Sequence, residues 1–258
     1  MKRKQKKIIH LSDIHCGYKD HTAKFEDIVT RIIFHKTPGS DYVVVITGDL
    51  VDNAHTEGLY SEVSTQLGRL TGAGFHVLPA PGNHDYGTGV LGDAAFVEKF
   101  KKHFYGDGTV TYPKLDIIEN TAFICLDSMA EELHWYDKLF AQGELGEPQL
   151  KRLDDMLNSR QVKKCKYTVV YLHHHPFHPT LLHQLKDSGN LRKILIDHKI
   201  NALLFGHEHR GDVWNGAWNI KRAYDAGSTT GKRKQGPHRV INLSVEAFFD
   251  YDAKFYSE

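Results

Sequence analysis

Short apolar runs alternate with amphipathic stripes along most of the chain. Ile8-Ile9-His10-Leu11 reads as a strand, and Phe25, Ile28, Val29, Ile32 and Ile33 follow at helical spacing. Tyr42 to Ile46 is apolar at every position, as expected of a parallel strand buried on both faces. Val63, Leu67 and Leu70 mark a second helix. Phe75 to Leu78 marks a third strand, expected to stop at Pro79 and Pro81. Asp93 is placed to cap a helix whose stripe is Phe96, Val97, Phe100 and Phe104.

From Thr109 to Asp127 the pattern becomes an alternation broken at Pro113 and Glu119-Asn120, which predicts antiparallel strands. Pro148 suits the first turn of a helix carrying Leu150, Leu153 and Leu157. Tyr167 to Leu172 and Ala202 to Phe205 are buried strands again. The helix between them holds Ile194 and Leu195, with Asn190 as its predicted cap. Trp, Tyr, Val and Phe from Val213 onward predict a closing set of strands. This order predicts an α/β protein of two packed mixed β-sheets flanked by helices, in one domain over 1–258. Segments 86–108 and 128–147 are candidate lids; their irregular parts run from Tyr86 to Gly92 and from Ser128 to Gly146.

Composition narrows the function classes. The 258 residues are 40% hydrophobic and 25% charged, which fits a globular chain. Lys plus Arg number 33 and Asp plus Glu 32, so no global field draws the chain to nucleic acid or to an anionic membrane. Residues 1–7 hold five of those basic groups and read as a solvated tail. No apolar run approaches the ~18 residues of a spanning helix, and the basic start lacks the apolar stretch of a signal peptide, so a cytoplasmic location is expected. Three scattered Cys (Cys16, Cys125, Cys165) indicate neither a disulfide framework nor a thiolate metal site. Histidine stands out, at 18 residues.

The histidines cluster where strands end. The first strand is followed by Asp13-Ile14-His15, the second by Gly48-Asp49 and the third by Gly82-Asn83-His84-Asp85. The strand Tyr167–Leu172 is followed by His173-His174-His175-Pro176, and Ala202–Phe205 by Gly206-His207-Glu208-His209. Parallel strands would bring these five ends to one edge, where ligands of α/β sheets bind. Nitrogen and hard oxygen donors together suit Mn, Fe, Zn or Ni better than Ca or Mg. Asp13 and His15, like His207 and His209, would share a side of an extended segment, because side chains alternate. Seven candidate ligands (Asp13, His15, Asp49, Asn83, His174, His207, His209) are too many for one ion and suit two, with one carboxylate bridging.

The ordered pattern Asp-x-His, Gly-Asp, Gly-Asn-His-Asp, His-x-Pro and Gly-His-x-His resembles the calcineurin-like metallophosphoesterases over roughly residues 8 to 230. In length and in its His-His-His-Pro stretch the chain looks most like bacterial cyclic-nucleotide and glycerophospho-type phosphodiesterases of that family. The resemblance implies an α/β/β/α sandwich. Asp13, His15 and His209 would hold one metal; Asn83, His174 and His207 the other; Asp49 would bridge. His84 would be the catalytic histidine, touching substrate together with Asn83, and Asp85 would orient it. His173 and His175 would flank the ligand His174 and, on extended backbone, point away. The two ions (Mn, Fe or Zn) would clamp a phosphoryl group and activate a hydroxide for attack. His84 would then protonate the leaving alkoxide. A dimer is also in keeping with the resemblance.

Taken singly, each motif has an ordinary reading. Gly48-Asp49 and Gly82-Asn83 can be plain turns, and His207 and His209 surface residues. Five of them, each after a strand, are what point to a dinuclear site. His178 and His183 are candidate substrate contacts, and Lys232-Arg233-Lys234 a solvated turn able to attract a phosphate. The function expected is phosphodiester hydrolysis of small substrates, cyclic nucleotides among them. The alternatives are a phosphomonoesterase on nucleotide or sugar phosphates, a DNA nuclease, which would need a basic groove, and a non-catalytic scaffold, which would have lost ligands. The partner expected is a small phosphoester, with neither membrane nor nucleic-acid polymer.

Overall fold

The computed structural model describes residues 6–90, 92–129, 143–179, 184–231, 238–244 and 250–251. Elements run in the order β1 (Lys7–Leu11), α1 (His21–His35), β2 (Tyr42–Thr47), α2 (Leu59–Gly72), β3 (His76–Ala80), α3 (Ala95–Tyr105), β4 (Lys114–Ile118) and β5 (Thr121–Cys125). There follow α4 (Glu147–Asn158), α5 (Arg160–Lys163), β6 (Tyr167–Tyr171), α6 (Ser188–Asp197), β7 (Ala202–Phe205), β8 (Val213–Trp214), β9 (Ala223–Asp225), β10 (Arg239–Ile241) and β11 (Asp250–Tyr251).

Two mixed sheets form. The first has the order β11-β10-β1-β2-β3 and the second β4-β5-β6-β7-β9-β8. Alternation along β2 shows how they stack. Val44 and Ile46 face a core shared with Phe25, Val29 and Val63 of the helices. Val43 and Val45 face the opposite way, against Phe123, Val169, Tyr171 and Leu204 of the second sheet. The second sheet's other face buries Val170, Leu172 and Leu203 under Leu150, Leu153 and Leu191 of α4 and α6. The central strands of the two layers are therefore buried on both sides, which is why β2 and β6 read as unbroken apolar runs. The chain is an α/β/β/α sandwich of two mixed sheets, as its pattern predicts.

Registry carries the site. Leu11 pairs with Ile46 and Thr47 with Ala80 in the parallel ladders β1–β2 and β2–β3, while Tyr171 pairs with Leu204 in β6–β7. The carboxyl ends of all five strands thus finish level with one another within their sheets.

Two local expectations differ. β3 continues through Pro79 to Ala80 rather than stopping before it. β3 lies at the sheet edge, where a missing N–H costs no ladder bond. The N-cap of α6 is Asp187 rather than Asn190, which lies inside the first turn. The Asp187 carboxylate accepts the Leu145 and Gly146 N–H groups instead, tying α6 to the start of α4. Of the candidate lids, 86–108 contains α3, whose Phe100 is fully buried in the first core, and the loop before it starts at Tyr86, buried in that same core. Residues 130–142 of the second lie outside the described residues, as do 1–5 of the basic tail, His183 and Lys232-Arg233-Lys234. No helix among the described residues is long and apolar enough to cross a membrane.

Candidate metal centre

The strand-end loops converge, although 194 positions separate Asp13 from His207. One carboxylate oxygen of Asp49 stands 3.6 Å from His15 Nε2 and 3.3 Å from His173 Nε2. On the His15 side, His209 Nε2 lies 3.1 Å from an Asp13 oxygen and 3.3 Å from His15 Nε2. On the His173 side, His173 Nε2 lies 2.9 Å from Asn83 Oδ1 and 3.2 Å from His207 Nδ1. Donor atoms of Asp13, His15 and His209 lie within 4.8 Å of one another, as do those of His173, His174 and His207. Two adjoining nests result, with Asp49 between them.

The backbone explains why the loops take this shape. Asp13, His15, Asp49, His207 and His209 all have φ between 50° and 76°, in the left-handed region. That conformation costs a residue with a Cβ about 1–2 kcal/mol and collects at functional sites. Asp13 and His15 therefore do not share a side by extended alternation, nor do His207 and His209: tight left-handed turns aim them. The His15 and Ile14 N–H groups both donate to the Asp49 carbonyl, which fixes one such turn. Close approach also demands two of the motif glycines. A Cβ on Gly82 would lie 2.3 Å from Asp49 Oδ1, and one on Gly206 would lie 2.0 Å from Ser12 Oγ.

Two carboxylates face this nest from inside the protein. Asp13 is 0% and Asp49 2% exposed, and no Lys or Arg among the described residues pairs with either. Burial raises the Asp13 pKa, but His209 and His173 outweigh it and hold the group at about 2. Asp49 likewise lies well below its ordinary value; burial is again outweighed, by His173 and then His15. Burial also lowers the His173 pKa, yet the Asp49 carboxylate lifts it to about 10. His207, lacking so close a carboxylate, is pushed by burial to about 3. Buried carboxylates surrounded by imidazoles and backbone N–H groups, with no basic side chain among the described residues to pair them, have the surroundings of a cation site. The donor set of imidazole nitrogens, carboxylates and one amide oxygen fits the metals expected.

His173 differs from its expected orientation. It continues the face of Val169 and Tyr171, the face turned toward the first sheet. Its Nδ1 donates to the Thr47 carbonyl at 2.7 Å, which leaves Nε2 for the nest, the arrangement second-shell contacts impose on metal-bound histidines. His174 is within reach of the same nest and has its Nδ1 2.8 Å from Ser128 Oγ. His175 does turn away, into Phe205 and Trp214.

Asp85 also differs from expectation. Its carboxylate accepts the N–H groups of Leu50, Val51 and Gly82, so it ties the second and third loops together instead of orienting His84. Burial and then the Asp49 charge raise its pKa to about 8. The His84 ring is oriented by Asp52, whose carbonyl takes the Nδ1 proton at 2.6 Å. The Asp52 carboxylate lies 3.5 Å from His15 Nδ1. Asp52 falls three residues after Asp49, a spacing that could have flagged it. His178 lies apart from the cleft, 3.4 Å from Glu208, and joins the loops after β6 and β7. The open cleft has a volume of about 890 Å³, and His15, His84, His209 and Asp52 line it.

A sandwich whose strand ends meet at two adjoining nests of nitrogen and oxygen donors has the architecture of a dinuclear metallohydrolase. The chain belongs to the calcineurin-like phosphoesterases, whose family model matches residues 6–211. Among solved structures it is similar to the protein TT1561 of Thermus thermophilus, at 11% identity and a TM-score of 0.57 over 96% of this chain and 99% of that one. It is also similar to a purple acid phosphatase from yellow lupin seeds, at 14% identity and a TM-score of 0.55 over 78% of this chain. A 5'-nucleotidase from Candida albicans matches at 12% identity and a TM-score of 0.50 over 88% of this chain. The chain spans only 37% of the lupin protein and 47% of the nucleotidase. At these identities the likeness is one of fold. No curated protein matches the chain significantly.

Proposed function

We propose that this protein hydrolyses phosphodiester bonds in small substrates, cyclic nucleotides among them, at a two-metal centre. The observation that carries the reading is the place of Asp49, one oxygen of which faces His15 on one side and His173 on the other. Asp13, His15 and His209 would hold one ion. Asn83, His207 and His173 would hold the second, with His174 in reach of it. Bound there, two ions supply Lewis acidity to a phosphoryl oxygen and lower the pKa of a water.

The remaining work falls to side chains. The His84 backbone N–H donates to Asp49 Oδ1 at 3.0 Å and so orients the shared carboxylate. A carbonyl only accepts, so His84 Nδ1 carries the proton it shares with Asp52. Nε2 is then the atom that, in the charged ring, gives a proton to the departing oxygen. Asn83 is a neutral donor and limits negative charge around an anionic substrate.

Purified protein with Mn is expected to hydrolyse bis-p-nitrophenyl phosphate and an alkyl phosphodiester; Asn83→Ala should abolish most turnover of both, and His84→Ala most of that on the alkyl diester, whose leaving oxygen needs the proton. Wild-type rates in both variants would refute the mechanism. A second reading, phosphomonoester hydrolysis, draws support from the likeness to a phosphatase and a nucleotidase; the ratio of monoester to diester turnover separates the two.

A further inference from the structure

The cleft is much larger than one phosphoryl group needs. Its volume of about 890 Å³ lies in the range of sites that enclose a whole small molecule. The same cleft has a wall made by Tyr18, Lys19, Asp20 and Lys24, where the chain turns into α1. The charges on this wall are not equivalent. Lys24 Nζ pairs with Asp20 at 3.0 Å, an exposed ion pair that offsets part of its charge. No carboxylate among the described residues lies within ion-pair distance of Lys19, whose ammonium donates to the Tyr18 hydroxyl, lies 4.6 Å from the centroid of that half-exposed ring and feels Asp20 only at longer range. A cation held on an aromatic face keeps its charge while losing freedom to wander.

The backbone singles out the same residue. Among the described residues, nine other than glycine have positive φ, and five of them are candidate metal ligands. Lys19, with φ of 48°, is one of three of the nine that line this cleft, with His15 and His209. The His21 N–H donates to the Tyr18 carbonyl across this turn, so the left-handed residue fixes where Lys19 stands as the chain enters α1.

We propose that the Tyr18–Lys19 wall is a recognition subsite for a second anionic group, so that the preferred substrate is a small phosphoester carrying another phosphate beyond the scissile one. The inference rests on the phosphoesterase reading of the His15, His84 and His209 lining of the cleft. Phosphate suits the wall because the Lys19 ammonium, a point charge, donates to its oxygens without needing a fork of donors.

Two chromogenic diesters test it with one leaving group: thymidine 5'-(p-nitrophenyl phosphate) and its 3'-phosphorylated counterpart. The Mn-loaded protein is expected to favour the 3'-phosphorylated one in kcat/KM by about five-fold, the upper end for an exposed ion pair. Lys19→Ala should bring that ratio close to one, and Lys19→Arg should keep most of it. Calorimetric binding of thymidine 3',5'-bisphosphate against the 5'-monophosphate should show the same preference and the same loss. A ratio near one in the wild type, or one that Lys19→Ala leaves in place, overturns the subsite. Absence of turnover on bis-p-nitrophenyl phosphate sinks the phosphoesterase reading instead; a Lys19-dependent preference in binding would still support the subsite.

Discussion

Gly89→Ala is the most discriminating single change at the site. Gly89 has φ of +86°, and a Cβ there would lie 2.3 Å from His84 Nε2 and 2.4 Å from Cε1. The ring cannot swing aside freely. Its Nδ1 is held 2.6 Å from the Asp52 carbonyl, and its face meets His15 edge-on with centroids 4.6 Å apart. Two costs add: about 1–2 kcal/mol for placing alanine in the left-handed region, and about 1–3 kcal/mol for the overpacked contact. Gly106→Ala separates them. Gly106 ends α3 at φ of +76° with nothing within 4 Å of its would-be Cβ, so it bears the first cost alone. Urea denaturation should therefore find Gly89→Ala less stable than Gly106→Ala by about 1–3 kcal/mol. The functional gap should be wider. Displacing the acid lowers kcat about 10²–10⁴-fold on an alkyl phosphodiester, whose leaving oxygen needs a proton. The loss should shrink on a nitrophenyl ester, whose phenolate departs unaided, and Gly106→Ala should turn over like the wild type. Wild-type kcat on the alkyl diester for Gly89→Ala, with a stability equal to that of Gly106→Ala, would refute this reading of His84.

Three other outcomes follow from the same geometry. Asp49→Asn removes the charge that faces both nests, so metal analysis should find fewer than two ions per chain and turnover should drop at least about 100-fold; two retained ions with normal turnover would contradict a bridging role. His173→Ala should weaken metal binding about 10–100-fold in a competition titration with a chelating dye. His175→Ala, in the aromatic cluster with Phe205 and Trp214, should instead cost about 2–4 kcal/mol of stability and leave metal affinity near wild type. Removing metal with a chelator should lower the thermal midpoint, and Mn at about one hundred times its Kd should restore about 2.7 kcal/mol. A midpoint indifferent to Mn would argue against a cation between Asp13 and Asp49.

Much of this molecule is legible in its residue order. Apolar parity marks β2 and β6 as strands buried on both faces, and the helix stripes of α1, α2 and α4 mark the outer layers. Because a parallel strand delivers whatever follows it to the sheet's carboxyl edge, Asp13, Asp49, Asn83 and His207 could be grouped while far apart in sequence. Where the reading failed, the missing quantity was direction. A His run after a strand contains both parities, and only the stacking of the second sheet on the first decides that the face of Val169, Tyr171 and His173 is the one turned inward. Asp85 adjoins His84 in sequence, but its carboxylate is taken by three N–H groups from loops that meet only on folding. The role given to it passes to Asp52, whose carbonyl arrives from the loop after β2. Sequence by itself determined which residue types stand at which strand ends, since secondary structure and local spacing are properties of neighbours. Tertiary structure alone decided which atoms of those residues face one another, because left-handed turns at Asp13, His15, Asp49, His207 and His209 are held by contacts between segments and cannot be read from any one of them.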